Sequence, residues 1–179
     1  MAKEIERKFL VTGDGWRTAV LRRQRLRDGL LSHVEGRKIR VRFYDGRATL
    51  TVKGPRTGYS RDEFEYDIPP ADAEQMLAAH CPHGVLEKTR HHVAFGGFEW
   101  TVDEFEGLLE GTVFAEIELP SEGADFARPP WLGREVTGLE EFRQVNMIRA
   151  RRRAAAEAAA GRGGTQPMDD AIPIYCRQS

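Results

Sequence analysis

The sequence predicts an α+β domain built on an antiparallel sheet. Three observations carry that prediction. Seven stretches alternate between apolar and charged or polar residues with the period of two that defines a strand. Residue pairs such as Asp45-Gly46 and Gly96-Gly97 stand between neighbouring stretches, as tight hairpins require. Only a few segments have helical composition beside these many strands, the pattern of an α+β domain.

The elements follow in order. Residues 4–8 read Glu4-Ile5-Glu6-Arg7-Lys8, with Glu4, Glu6 and Lys8 on one face of a first strand. Residues 16–30 mix Trp16, Val20, Leu21, Leu26 and Leu30 with arginines, and read as a short helix running into a strand. The run KIRVRFYDGRATLTVKG, residues 38–54, is a hairpin about Asp45-Gly46, a pair that accepts the positive φ of a two-residue turn. Residues 59–68 alternate again and stop at Pro69-Pro70. ADAEQMLAAH, residues 71–80, reads as a helix. LEKTRHHVAF and FEWTVDEF form a second hairpin about Gly96-Gly97, and residues 112–120 form a further strand ending at Pro120. Residues 139–160 read as helical. The last stretch, GRGGTQPMDDAIPIYCRQS, has the composition of a flexible tail. This divides the chain into a domain over 1–150 and a helical or flexible extension over 151–179.

Bulk properties narrow the function. The 179 residues can bury a real core. Net charge is −1 although 31% of residues are charged, which argues against nonspecific nucleic-acid binding but leaves strong local fields open. No apolar run approaches the roughly 20 residues that span a bilayer. Cys81 and Cys176 read as reduced thiols, and the expected compartment is the cytoplasm. The cluster His80-Cys81-Pro82-His83, with His91 and His92, lacks zinc-finger spacing and reads as a loop. The arginines of 149–153 read as a solvated helix face.

Charge on the polar faces is the informative feature. Arg40 and Arg42 share a face opposite Ile39, Val41 and Phe43. Thr49, Thr51 and Lys53 face away from Leu50 and Val52. Arg61, Glu63 and Glu65 oppose Phe64 and Tyr66. Lys88 and Arg90 share a face. Glu99, Thr101 and Asp103 oppose Trp100 and Val102, and Glu116 and Glu118 oppose Ile117 and Leu119. A sheet with one wet face explains any single strand. Seven strands whose wet faces carry charge, segregated by sign along the strands, point to a shaped electrostatic site. If the sheet closes, that face becomes a lumen holding water, ions and a charged ligand, because unpaired buried charge is costly. Each Glu-x-Glu sets two carboxylates facing one way, about 7 Å apart at Cα. Hard oxygen ligands suit Mg²⁺ or Mn²⁺, and lysine and arginine suit phosphate.

Glu4-Ile5-Glu6-Arg7-Lys8 resembles the ExExK motif of the CYTH superfamily, the triphosphate tunnel metalloenzymes. Arg40-Val41-Arg42, Thr51-Val52-Lys53, Arg61-Asp62-Glu63-Phe64-Glu65, Glu87-Lys88-Thr89-Arg90, Asp103-Glu104-Phe105-Glu106-Gly107 and Glu116-Ile117-Glu118 follow its pattern in order, over residues 3–150. The segment Trp131 to Gly138 resembles the one that often follows. The resemblance implies an eight-stranded antiparallel β-barrel tunnel with a charged lumen and helices packed outside. It implies Mg²⁺ or Mn²⁺ on Glu4, Glu6, Asp103, Glu116 and Glu118. It implies phosphate binding by Lys8, Arg40, Arg42, Lys53, Arg61, Lys88 and Arg90, with Glu63 and Glu65 in support. Lys8, Lys53 and Glu6 are the residues it makes catalytic.

The activity implied is a metal-dependent triphosphatase, most similar to the short bacterial-type inorganic triphosphatases. The expected partner is a small triphosphate, either tripolyphosphate or a nucleoside triphosphate. Nucleic acid and membrane are not expected, and a homodimer stays open. A class IV-type adenylate cyclase, a thiamine-triphosphatase-like enzyme and a non-catalytic polyphosphate or nucleotide-binding module are the alternatives. One segment departs from the family. Phe142 stands where a tyrosine is usual, behind Glu140 and Glu141, in the region that plugs or lines one tunnel end.

Overall fold

The computed structural model describes residues 3–160. Nine strands form one sheet: β1 (Lys3–Val11), β2 (Val20–Val34), β3 (Arg37–Tyr44), β4 (Arg47–Lys53), β5 (Ser60–Ile68), β6 (Val85–Phe95), β7 (Phe98–Phe105), β8 (Val113–Glu118) and β9 (Leu132–Glu135). Two α-helices accompany them, α1 (Pro70–Ala79) and α2 (Gln144–Ala159). The short helix expected after residue 16 is a 3-10 turn, Gly15–Ala19, which leads into β2. Helix α2 continues across residue 150, from the expected domain into the expected extension. The tail reading of 161–179, including Cys176, lies outside the described residues.

The strands run in the order β5-β4-β3-β2-β6-β7-β8-β1, and β1 also pairs with β5. That closes an eight-stranded antiparallel barrel. The closing seam is short: Lys3, Glu4 and Ile5 pair with Asp62, Arg61 and Ser60. Further along, the same edge of β1 is taken by β9, through Phe9 and Val11. Between the two, the amides of Lys8 and Val136 bind Thr137 Oγ1 and Lys8 O at 2.9 and 2.8 Å. Both expected hairpins form. Asp45 and Gly46 have φ of 49° and 75°, as a two-residue hairpin demands. A third hairpin, about Glu35-Gly36 at 49° and 79°, carries no Asn or Asp to announce it.

Two of the three apolar clusters lie outside the barrel wall. Phe9, Trp100, Val102, Ala115 and Ile117 form one outer cluster with Trp16 and Trp131. Phe9 is fully buried there, beneath Phe126 and Trp100 and not beneath a helix. A second outer cluster joins Val41 and Ala48 to Ala73 and Leu77 of α1. Gly29 allows that approach, because a Cβ there would collide with Leu77 and with Cys81 Sγ. The third cluster seals one end. Leu10, Leu86, Phe105 and Phe114 meet Val136, Phe142 and the α2 residues Met147 and Ile148.

Candidate active site

Strand alternation brings the predicted charged faces together inside the barrel. Two cavities, of about 560 and 790 Å³, share Glu6, Arg40, Arg42, Lys53, Arg90 and Glu116 in their walls. They are two halves of one tunnel. One half carries ten lysines and arginines against four glutamates. The other carries five against seven. The segregation of sign therefore follows tunnel height and not individual strands. β5 gives Arg61 to the basic half and Glu63 and Glu65 to the acidic half; β8 gives Glu118 to the acidic half and Glu116 to the middle.

The cations are held in place by a chain of carboxylates. Arg42 donates from Nε and Nη2 to the two oxygens of Asp28 at 2.7 and 2.9 Å. Lys88 Nζ lies 3.4 Å from Asp28 and 2.6 Å from Asp103. Arg90 donates to both oxygens of Asp103 at 2.7 and 2.8 Å and lies 3.5 Å from Glu116, which is 3.4 Å from Lys8. On the other wall Glu4 accepts from Lys53 at 2.9 Å and from Arg61, and Glu63 lies 2.8 Å from Lys53. Arg40 donates to Thr51 at 3.2 Å, and Thr51 to Glu65 at 2.8 Å. Below this layer, Lys8 lies 3.9 Å from the Phe114 ring centre and Lys88 5.3 Å from that of Phe105, so the apolar end seal also stabilises charge.

The carboxylates divide into two kinds. Burial alone would raise Glu4 and Asp103. The adjacent cations outweigh it, Lys53 and Arg61 for Glu4, Arg90 and Lys88 for Asp103, and hold both below the usual range. Both oxygens of Asp103 are taken up by Lys88 and Arg90. Glu6 is the opposite case. Burial, then the Glu116 and Glu4 charges, push it up to about 7, although Arg56 donates to it at 3.1 Å. Glu6 stands directly across the ladder from Glu118, as Lys8 does from Glu116. Facing carboxylates repel. Among the described residues Glu118 has no ion pair, and no three His, Cys, Asp or Glu side chains form a ready metal cage.

The alternation rule missed several lumen residues. Lys38 shares the face of Arg40 and Arg42 and was legible there. His92 follows Lys88 and Arg90 on β6, where it contacts Glu99 at 2.6 Å and Gln24 at 2.9 Å. Asp28 lies within residues 16–30, where no alternation assigns a face. Arg56 and Arg143 come from segments with no alternation to read.

The domain model described as the CYTH domain matches residues 2–150. The chain belongs to the CYTH family. This CYTH chain is 45% identical over 152 residues to the inorganic triphosphatase of Acetivibrio thermocellus, covering 83% of the chain and 95% of that protein. It is 36% identical over 139 residues to the inorganic triphosphatase of Nitrosomonas europaea, covering 75% and 89%. The crystal structure of an inorganic triphosphatase matches it at 30% identity with a TM-score of 0.57, covering 81% of this chain and 97% of that one. A Pyrococcus furiosus protein, 19% identical with a TM-score of 0.54 and covering 67% and 80%, is alike in fold alone.

Proposed function

We propose that this CYTH protein is a metal-dependent inorganic triphosphatase that cleaves tripolyphosphate to phosphate and pyrophosphate. The observation that carries the reading is the polarised tunnel, basic in one half and acidic in the other, in a chain 45% identical to an inorganic triphosphatase. The cations held by Asp28, Asp103 and Glu4 match a stretched polyanion. Positioning and charge neutralisation supply most of the catalysis in phosphoryl transfer.

Triphosphatases of this family depend on a metal ion. The residues fit one. Glu6, Glu116 and Glu118 crowd at the middle and acidic end, and the raised Glu6 carboxyl reports a deficit of positive charge. Mg²⁺ is usually bound by one or two carboxylates together with substrate phosphates, not by an all-protein cage. These three glutamates would hold Mg²⁺ or Mn²⁺. Glu4 and Asp103, both committed to cations, would orient Lys53, Arg61, Lys88 and Arg90. When bound, the ion supplies Lewis-acid neutralisation of phosphate oxygens.

In this reading the terminal phosphorus lies beside Glu6. A water oxygen forms a bond to it, the phosphoanhydride P–O bond breaks, and pyrophosphate leaves. Arg40, Arg42, Lys53 and Arg90 line the middle of the tunnel and take up the charge that builds on the leaving group. Lys8, held by Glu116 and the Phe114 ring, binds its oxygens. The test is colorimetric phosphate release from tripolyphosphate. Release is expected with Mg²⁺ or Mn²⁺, loss with EDTA, and return on adding metal. A folded sample that releases no phosphate from any triphosphate would overturn the reading, as would cyclic AMP and pyrophosphate formed from ATP.

A further inference from the structure

On the lumen side of β3, Lys38 and Arg40 each present a donor with nothing to bind. Lys38 makes no hydrogen bond or ion pair among the described residues. Arg40 uses Nη2 on Thr51 and on Glu65, 3.7 Å away, but among the described residues its buried Nε has no partner. Directly across the β2–β3 ladder from Lys38 stands His33, whose Nε2 is also buried without a partner. His33 faces the tunnel because of an irregularity in β2. The register shifts between Leu30 and Ser32, so lumen-facing positions change from even-numbered to odd-numbered residues. Such bulges re-aim side chains beside functional sites.

These three groups line the basic half of the tunnel, and two of them, His33 and Lys38, line only that half. Their neighbours are already matched. Lys53, paired with Lys38 across β3–β4, has Glu4 at 2.9 Å and Glu63 at 2.8 Å; Arg42 has Asp28; Lys88 has Asp103. An unmatched cation in a confined site is costly unless an anion arrives. Burial and the nearby Arg61, Lys8, Lys53 and Arg143 push the Lys38 ammonium down to about 7, the mark of a site short of negative charge.

Resting on the triphosphatase reading above, we propose that Lys38, Arg40 Nε and His33 form a subsite for the free terminal phosphate at the end of the substrate remote from the attacked phosphorus. With the attacked phosphorus beside Glu6 and the acidic half, the far end of the substrate falls in the basic half. In tripolyphosphate that end is a free terminal phosphate with up to two charges. In a nucleoside triphosphate it is an esterified phosphate with one charge and an attached nucleoside. The subsite therefore selects tripolyphosphate over triphosphates esterified at one end.

The experiment compares kcat/KM for tripolyphosphate and for ATP in the full chain and in Lys38→Met, with Lys38→Arg as the conservative control. Removing one charge-assisted contact should lower the tripolyphosphate value about tenfold. The ATP value should move less than about threefold, and Lys38→Arg should restore most of the loss. His33→Gln should move the two substrates in the same unequal way. Lys38→Met removes a repelled charge, so its melting temperature should not fall. Equal losses on both substrates, or no loss, would overturn the subsite. If the unmodified chain hydrolyses no triphosphate, the hydrolase reading has failed separately. Calorimetric affinity for tripolyphosphate then decides: weakening in Lys38→Met with recovery in Lys38→Arg supports the subsite, and unchanged affinity overturns it.

Discussion

Glu6 and Glu118 oppose one another across the β1–β8 ladder; Arg56 reaches Glu6, and among the described residues no cation pairs with Glu118. The Glu6 carboxyl is raised to about 7 from the usual 4.5, by burial first and then by the Glu116 and Glu4 charges. Between those values the folded protein holds a proton that the unfolded chain has released. Stability contributed by Glu6 is therefore present below about pH 4.5 and is lost as pH rises to about 7. Glu6→Gln cannot titrate, so its metal-free melting temperature should fall less between about pH 5 and 7 than that of the parent chain. On the proposed metal role of Glu6, the same substitution should cut kcat/KM for tripolyphosphate about a hundredfold. Thermal melts and phosphate release read the two effects from one variant. Lys38 adds the opposite slope. Its ammonium is lowered to about 7, so the stability it withholds returns as pH rises from about 7 towards 10.5.

At the scale of elements, β2 contributes to the lumen, and the sequence pattern described it least. Its fifteen residues carry the irregularity that turns His33 inward, and they carry Asp28. Asp28 is 3% exposed and binds Arg42 and Lys88. Removing one partner of a buried ion network leaves uncompensated charge, which costs about 3–5 kcal/mol. Asp28→Asn keeps the shape and removes the charge. Urea unfolding should show a loss of about that size, and added tripolyphosphate should recover part of it by supplying the missing negative charge. An unchanged unfolding midpoint would show that Arg42 and Lys88 find their balance elsewhere.

For the whole molecule the usual small-barrel arrangement is inverted. Barrels of this size commonly fill their interior with side chains. Here the charged groups face in and two apolar clusters face out, covered by α1, by Trp16 and by Phe126 and Trp131, while the third, on the lumen face, seals one end. The outer apolar clusters and the charged candidate site thus sit on opposite faces of the same strands. Trp100 is fully buried outside, with ring centres 5.9, 5.6 and 5.8 Å from Phe9, Phe126 and Trp131. Trp100→Ala should cost about 3–5 kcal/mol in chemical denaturation. Its kcat for tripolyphosphate, measured well below the melting point, should stay within about threefold of the parent. A large loss of kcat at full folding would show that the outer cluster sets the lumen geometry.

Much of this was legible in the sequence, because strand alternation is a local property. Glu4-Ile5-Glu6-Arg7-Lys8 and the six similar runs fix which side chains share a face, whatever the strands pair with. The Asp45-Gly46 and Gly96-Gly97 pairs likewise fix their turns. What alternation cannot give is height and partner. Only the closed barrel sets Glu63, Glu65 and Glu118 at one end and Lys8, Lys38 and Arg61 at the other. Only the ladder register puts Glu6 opposite Glu118 and sets Asp103 against Lys88 and Arg90. Loop residues such as Arg56 and Arg143 reach the tunnel through turns that no period describes. The sequence by itself determined the faces, the charges and the family. The tertiary structure decided which charges neutralise one another and which stay unmatched, because that depends on distances between strands far apart in the chain.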